Sequence, residues 1–523
     1  MRALLIAAEL FLLSVLVLSV RSWNHERVFV GREVYFTDAD CYSRMSRAQL
    51  CWNHPGLIVR HHEFENYPEG TVPHTTAPFD YLIVALALAA SLFSSNALDL
   101  AGAWISPLLA AAGGIFLWFW MRRVGFRYRW PALILYAISP ILVHGTELGR
   151  PDHQSLVIVL AIFALCGEWM LATKPSRSWG VFTGVSWAMA LWVSLYEPLI
   201  LFVFTQAFSL LWWRVSDQSE RSTYGTLKWT VLLATITLGA SVERRIPSLS
   251  FIDDPFVRNW GATIGELQHV PVLSYAWFEW GSFALLAAPL AFLLYPKLRQ
   301  IQKSWLGQTV SLLCLLGVLF CLTMWQARWG YFLVAIFVVV LPALLESISS
   351  KIFVWALCLL SLWPVASAWD AQLWPGETVL AQGEEEMRDR VELRDLAMAM
   401  RSTETRPFLA PWWLSPELAY WSGQPGLAGS SHESFPGILA SVRFYSSVHD
   451  AAAESILGQR QVVFVLAYDG DRVARTSGEI LGTPVSPAAL CHRLDRIPIR
   501  APDFLQLLLQ NSGGKLYRAV NNR

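Results

Sequence analysis

The chain has 523 residues, 54% of them hydrophobic and 15% charged, with a mean hydropathy of +0.40, whereas soluble domains carry roughly 25% charged residues. Forty basic side chains balance forty acidic ones, so no net field draws nucleic acid, and a disordered chain, a collagen-like fibre, a disulfide mini-scaffold and an ordinary cytosolic enzyme are all excluded. Twenty-six tryptophans suit indoles at membrane interfaces; the chain reads as a polytopic α-helical membrane protein.

Arg2 precedes an apolar run, 3–20. No small-x-small cleavage pattern follows it at Ser19-Val20-Arg21-Ser22-Trp23, so it reads as a retained first span. A polar segment comes next. Spans need about 20 apolar residues, and further ones fall at 101–121, 130–144, 153–172, 178–194, 196–213, 228–242, 277–295, 305–324, 329–347 and 351–369. Arg122, Arg123, Arg127 and Arg129 form the most basic short loop, which belongs on the cytoplasmic side. Lys174 with Arg177, Arg221 with Lys228, and Lys297, Arg299 with Lys303 share that side only if the short run 81–92 does not cross. Eleven spans result, with 21–100, the Glu147–Asp152 turn, 243–276 and 370–523 outside the cytoplasm. Residues 1–369 make the transmembrane domain, and 370–523 a soluble extracytoplasmic α/β domain with a helix at Glu384–Met400 and short strands at Pro407–Trp413 and Val462–Ala467. Cys41 and Cys51 share one polar loop, where a disulfide forms only in an oxidising compartment. The other five cysteines are scattered, four of them in apolar runs where Cys acts as a small hydrophobe.

The motifs that carry chemistry fall in the outside segments. Asp38 and Asp40, spaced by one residue, can approach one divalent cation, since carboxylate oxygens suit Mg²⁺ or Mn²⁺; a solvated acidic turn is the plainer role. Glu147, Arg150, Asp152 and His153 crowd one short turn at membrane depth, where ionisable groups are costly, although Asp152 alone is a fair helix N-cap. Glu266 is by itself a loop glutamate. Arg328, between Trp325 and Trp329, is either a snorkelling anchor or a fork for phosphate oxygens. Trp412-Trp413 end a strand. His54, His61, His62 and His74 match no helical metal-ligand spacing and read as loop histidines.

Taken together, Asp40-Cys41-Tyr42-Ser43-Arg44, Asn66-Tyr67-Pro68-Glu69-Gly70 and Pro78-Phe79-Asp80 resemble the first external loop of oligosaccharyltransferase catalytic subunits of the bacterial and archaeal type. Gly149-Arg150-Pro151-Asp152-His153 resembles that family's second acidic motif and Gly265-Glu266 its later loop glutamate. Gln326-Ala327-Arg328-Trp329 is similar to its arginine stretch, and Trp412-Trp413 to its W-W-D signature. The resemblance implies a GT-C fold of about 11–13 spans and metal-assisted, inverting transfer of a lipid diphosphate-linked glycan to an acceptor on the non-cytoplasmic face. It implies Asp40, Asp152 and Glu266 as catalytic, metal-centred acids, Asp38 as an accessory carboxylate and Arg328 at the donor's pyrophosphate. Trp412 and Trp413 would lie at the acceptor, a protein or another glycan.

Two positions depart from the pattern. Leu414 stands where the family has the sequon-reading aspartate, with Ser415 and Glu417 as nearby polar groups, and Gln154 replaces a second acidic residue. These departures open a second reading, a GT-C transferase with a polyprenyl monophosphate sugar donor acting on a lipid, glycan or hydroxyl. A transporter of lipid-linked glycans, with Glu197 as its one coupling candidate, and a non-catalytic paralogue complete the alternatives.

Overall fold

In a computed structural model, residues 2–215, 223–245, 254–294 and 303–520 are described. Arg221, Lys297 and Arg299, used above for loop charge, lie outside them. Among the described residues seven helices are long and apolar enough to cross a membrane: Ala3–Arg21, Ala97–Val124, His153–Thr173, Tyr224–Glu243, Trp305–Trp325, Trp329–Glu346 and Lys351–Leu373. The remaining expected spans are shorter or broken. The stretch 130–144 divides into Arg129–Ile138 and Pro140–His144, because Pro140 has no N–H to continue the ladder. Arg21 repairs the break. Fully buried, it donates to the carbonyls of Tyr136 at 3.2 Å and Ala137 at 2.9 Å, and to the Thr146 hydroxyl at 2.8 Å.

Hydropathy alone does not rank the spans from inside to outside; burial does. Trp329–Glu346 is 94% buried, so its all-round apolar surface forms the centre of the bundle, whereas Ala3–Arg21 is 11% buried and presents Leu4, Leu5, Phe11 and Leu12 outward, as a lipid-facing helix does. Glycines set close helix contacts. A Cβ at Gly167 would stand 2.3 Å from Thr183 Oγ1, and one at Gly184 2.6 Å from the Lys228 carbonyl.

Ala77–Ala90, containing most of the run 81–92, is a 14-residue helix, about 21 Å long at 1.5 Å per residue and too short for a 30 Å hydrocarbon core. It packs on Ala97–Val124. Its buried Asp80 accepts from Arg44 at 2.7 Å and Arg47 at 3.0 Å, both on the helix Ala39–Asn53; burying two guanidiniums on one carboxylate fixes these helices against each other.

The C-terminal region has a four-stranded sheet in the order Phe408–Leu409, Phe464–Ala467, Gly514–Ala519, Leu505–Asn511. Its first pair is parallel and the others antiparallel. The expected strand 407–413 shrinks to two residues, since Pro411 ends the ladder and the turn after it starts the helix Ser415–Ser422. The expected helix starts earlier, spanning Glu377–Ala399. One apolar core joins this region to the 21–100 segment: Val28, Phe36 and Tyr42 pack with Leu393, Leu396, Leu414, Leu418 and Trp421. Cys41 and Cys51, both inside Ala39–Asn53, are free buried thiols.

Candidate active site

A cavity of about 1050 Å³ opens between the helical bundle and the C-terminal region, lined by Asp38, Asp40, Glu147, Arg150, Glu266, Arg328, Trp412, Trp413 and Leu414. Asp38 caps the helix Ala39–Asn53, its Oδ1 accepting from Cys41 N at 3.0 Å. This puts Asp40 in the first turn, where the helix dipole favours a carboxylate. The acidic turn is drawn to the same place by backbone bonds: Leu148 N donates to Arg21 O at 2.8 Å, Gly149 N to Ala103 O at 3.0 Å, and Thr37 N to Gly149 O at 2.9 Å. Gly149 has a φ of +76°, and a Cβ there would meet Val28 Cγ2 at 2.7 Å, so only glycine lets the turn approach this closely. Glu266 lies on a single 3₁₀ turn, Gly265–Leu267, held when Arg328 N donates to its carbonyl at 2.9 Å and Ala327 N to that of Gln268 at 2.9 Å.

Arg150 sits at the hub. Its guanidinium is 3.1 Å from Asp38, 3.6 Å from Glu147 and 3.7 Å from Glu266, and it donates to His144 Nε2 at 3.1 Å. Glu266 further accepts from Tyr331 Oη at 3.1 Å and Gln154 Nε2 at 3.3 Å. Burial pushes the Glu147 carboxyl up to about 7, against the pull of Arg150 and the Trp23 indole. Desolvation within the cavity and the like charges of Asp38, Asp152 and Glu266 push the Asp40 carboxyl well above its usual range, with Ser430 opposing them. The Asp40 side chain is open to the cavity, so the repulsion among carboxylates is the part that a cation would relieve. Asp152 behaves oppositely: burial disfavours its charge, but His153, with Nδ1 at 2.7 Å, and then Arg150 and Arg328 hold it below the usual carboxylate range.

The expected site residues therefore divide. Asp38, Asp40, Glu266, Arg328, Trp412 and Trp413 share the cavity wall, and Asp152 stands behind it, bonded to His153. The oxygens of Asp40, Asp152 and Glu266 are not gathered to ligand spacing; Asp152 is held by His153, and Glu266 by Arg150, Tyr331 and Gln154. The donor set nevertheless suits a hard divalent ion: three carboxylates, and Gln154 Oε1, a buried oxygen with no hydrogen-bond partner. The Arg328 guanidinium is bonded to Glu197, which also accepts from Ser194 Oγ at 3.1 Å. Glu197, the transporter reading's coupling candidate, thus orients Arg328.

Trp412 and Trp413 meet edge to face at 5.8 Å, and Arg472 lies 5.2 Å over Trp413. Beside them Leu414 is nearly buried. Ser415 Oγ is committed to the Ala428 carbonyl at 2.7 Å, and Glu417 accepts from Tyr42 Oη at 3.0 Å, so of the two polar neighbours only Glu417 lines the cavity. Sequence reading missed Arg390, which bonds the Phe36 carbonyl and Tyr42, and Ser430; both lie in the C-terminal region, far in sequence from the loop they touch. Tyr331 ends a quoted motif, but nothing in its spacing shows that it reaches Glu266.

No protein-family profile and no curated protein matches the chain. Solved structures do. The archaeal oligosaccharyltransferase AglB from Archaeoglobus fulgidus, in complex with an inhibitory peptide and a dolichol-phosphate, superposes with a TM-score of 0.69 at 15% identity over 99% of this chain and 75% of that one. The Archaeoglobus enzyme in complex with Zn and sulfate gives 0.65 at 16% identity, over 98% and 72%. ArnT from Cupriavidus metallidurans gives 0.55 at 12% identity, over 99% and 98%. Together with the helical bundle and the small C-terminal sheet, these likenesses establish that the chain is a multi-pass membrane protein with the GT-C fold of oligosaccharyltransferases and ArnT.

Proposed function

We propose that this protein is a membrane glycosyltransferase that moves a glycan from a polyprenyl diphosphate carrier to an acceptor on the non-cytoplasmic face of the membrane. The observation that carries the reading is the single cavity that brings three acidic segments, Arg328 and the Trp412-Trp413 pair together within this fold. Lipid phosphate departs with negative charge, so cations aimed at the leaving oxygens lower the barrier. Arg328 supplies one such cation, held in place by Glu197. Asp40, Asp152, Glu266 and Gln154 would hold a divalent ion, Mg²⁺ or Mn²⁺, which adds Lewis-acid stabilisation of the departing phosphate. Asp40 and Glu266, both on the cavity wall, orient the acceptor's nucleophilic atom towards the anomeric carbon; that carbon's bond to the lipid phosphate breaks as the new glycosidic bond forms with inversion. A carboxylate of this cavity takes the proton that the acceptor releases.

A second reading, a polyprenyl monophosphate sugar donor, is favoured by Leu414. An apolar side chain beside the tryptophan pair offers no acceptor for a sequon hydroxyl, and the match to ArnT, which extends to a form bound to undecaprenyl phosphate, covers nearly both chains. Membranes containing the protein, supplied in turn with labelled diphosphate-linked and monophosphate-linked donors, decide between them. Label on an Asn-x-Thr peptide or membrane acceptor from the diphosphate donor alone supports the first reading, from the monophosphate alone the second, and from neither refutes both. An exported reporter fused after Trp369 supports the orientation; cytoplasmic signal would reverse it.

A further inference from the structure

Next to the carboxylate cavity, at the seam between the 21–100 segment and the C-terminal region, three side chains meet to which the transfer reading gives no role; the His74 ring lies 6.1 Å from that of His153, the partner of Asp152. His74 Nδ1 lies 2.7 Å from Glu433 Oε1, His432 Nδ1 lies 3.5 Å from Glu433 Oε2, and the two imidazoles are 5.2 Å apart. One ligand atom from each of the three falls within 4.8 Å of the others, the only group of three or more His, Cys, Asp or Glu among the described residues that does so. Glu433 Oε2 is buried without a hydrogen-bond partner. The carboxylate therefore presents one oxygen to His74 and a second, unsatisfied one towards His432. Both imidazoles are partly open to solvent, with side-chain exposures of 42% and 35%, which leaves an entry path.

We propose that His74, His432 and Glu433 form a second metal site, for a divalent transition ion of the Zn²⁺ class. Two imidazoles and a carboxylate select such ions over Mg²⁺. Tetrahedral ligands at 2.0–2.1 Å from Zn²⁺ stand roughly 3.3 Å apart, so the three atoms, now within 4.8 Å of one another, would close in on a bound ion and leave its fourth position to water. The site joins residues 359 apart in sequence and closes a seam already begun by backbone bonds, Gly426 N to Phe64 O at 3.0 Å and Tyr67 N to Gly426 O at 3.3 Å. Ser430, two residues before His432, lines the cavity together with Asp40. A metal here fastens the 430–434 turn, and with it Ser430, at the cavity wall. The inference is independent of which glycan or acceptor the cavity takes.

Full-length protein in detergent, stripped with a chelator, is titrated with Zn²⁺ and Co²⁺ in the wild type, His432→Asn, Glu433→Gln and Asp40→Asn. The wild type and Asp40→Asn should each bind one Zn²⁺ at this site, raise their thermal midpoints on binding it, and give visible Co²⁺ absorption that Mg²⁺ does not quench. His432→Asn and Glu433→Gln should weaken that Zn²⁺ site by at least about 100-fold, the upper end of what loss of a mere outer-shell partner costs, and lose the Co²⁺ signal. Glu433→Gln preserves shape and serves as the test if His432→Asn misfolds. Zn²⁺ binding unchanged in Glu433→Gln, abolished in Asp40→Asn, or absent from the wild type would overturn the proposal. Transfer that survives in Asp40→Asn would refute the catalytic reading and leave this site intact.

Discussion

Glu65 tests the electrostatic reasoning most cleanly, because it is buried without a salt bridge. It is 1% exposed, its Oε1 has no hydrogen-bond partner, and a Cβ on Gly429 would come within 2.5 Å of its carboxyl carbon. Burial raises its carboxyl from the ordinary 4.5 to about 7, Glu433 adds to the rise, and Ser43 and Arg47 oppose it. The folded state thus binds this proton more tightly than the unfolded chain. Its contribution to stability is complete below pH 4.5 and is lost as pH rises through 7. At 1.36 kcal/mol per pH unit, the loss is about 3 kcal/mol. Glu65→Gln removes the charge and keeps the shape. Thermal unfolding of purified protein between pH 5 and 8.5 should show the wild type losing more stability than the variant as pH rises, and the variant melting higher at pH 8.5. A variant that melts lower there, or parallel pH curves, would refute the assignment of Glu65 as a carboxyl whose ionisation strains the seam.

Three further outcomes are expected. Gly149→Ala forces a side chain into αL geometry against Val28, costing about 1–2 kcal/mol of backbone strain before the clash; transfer assays should show a larger fall in kcat than in donor affinity, as Asp38 and Arg150 shift apart. Arg328→Ala should raise the donor KM more than Trp412→Ala does, and the reverse order in steady-state kinetics would move the donor site elsewhere. Glu197→Gln frees the Arg328 guanidinium from its ion pair, so donor KM should change while the acceptor KM holds; equal changes in both would contradict a positioning role for Glu197.

How much of this was legible in sequence depended on how local the signal was. The Asp40-Cys41-Tyr42-Ser43-Arg44 and Pro78-Phe79-Asp80 motifs are short and contiguous, and so were legible, but that they meet through Arg44 and Asp80 was not. The break at Pro140 was lost because its flanks are equally apolar, and a hydropathy window cannot see a missing N–H. Burial order was hidden for the same reason: 329–346 and 3–20 look alike in composition, yet one is the bundle centre and the other faces lipid. The Arg328–Glu197 pair, the Arg390–Phe36 bond and the His74–His432–Glu433 cluster each join residues more than a hundred apart, and no spacing rule reaches across that distance. His74 was an ordinary loop histidine until the fold brought Glu433 to it.

The most direct test of the transferase claim is glycan transfer by purified protein from a labelled polyprenyl diphosphate donor, with and without EDTA, in the wild type, Asp40→Asn and Asp152→Asn. Label should pass to an acceptor with the wild type, fall by a factor of at least about 100 in either variant, as loss of a charge-stabilising group does, and return on adding Mg²⁺ or Mn²⁺ to the chelated wild type. Full transfer by either variant, or transfer indifferent to chelation, would contradict a carboxylate-held metal at this cavity.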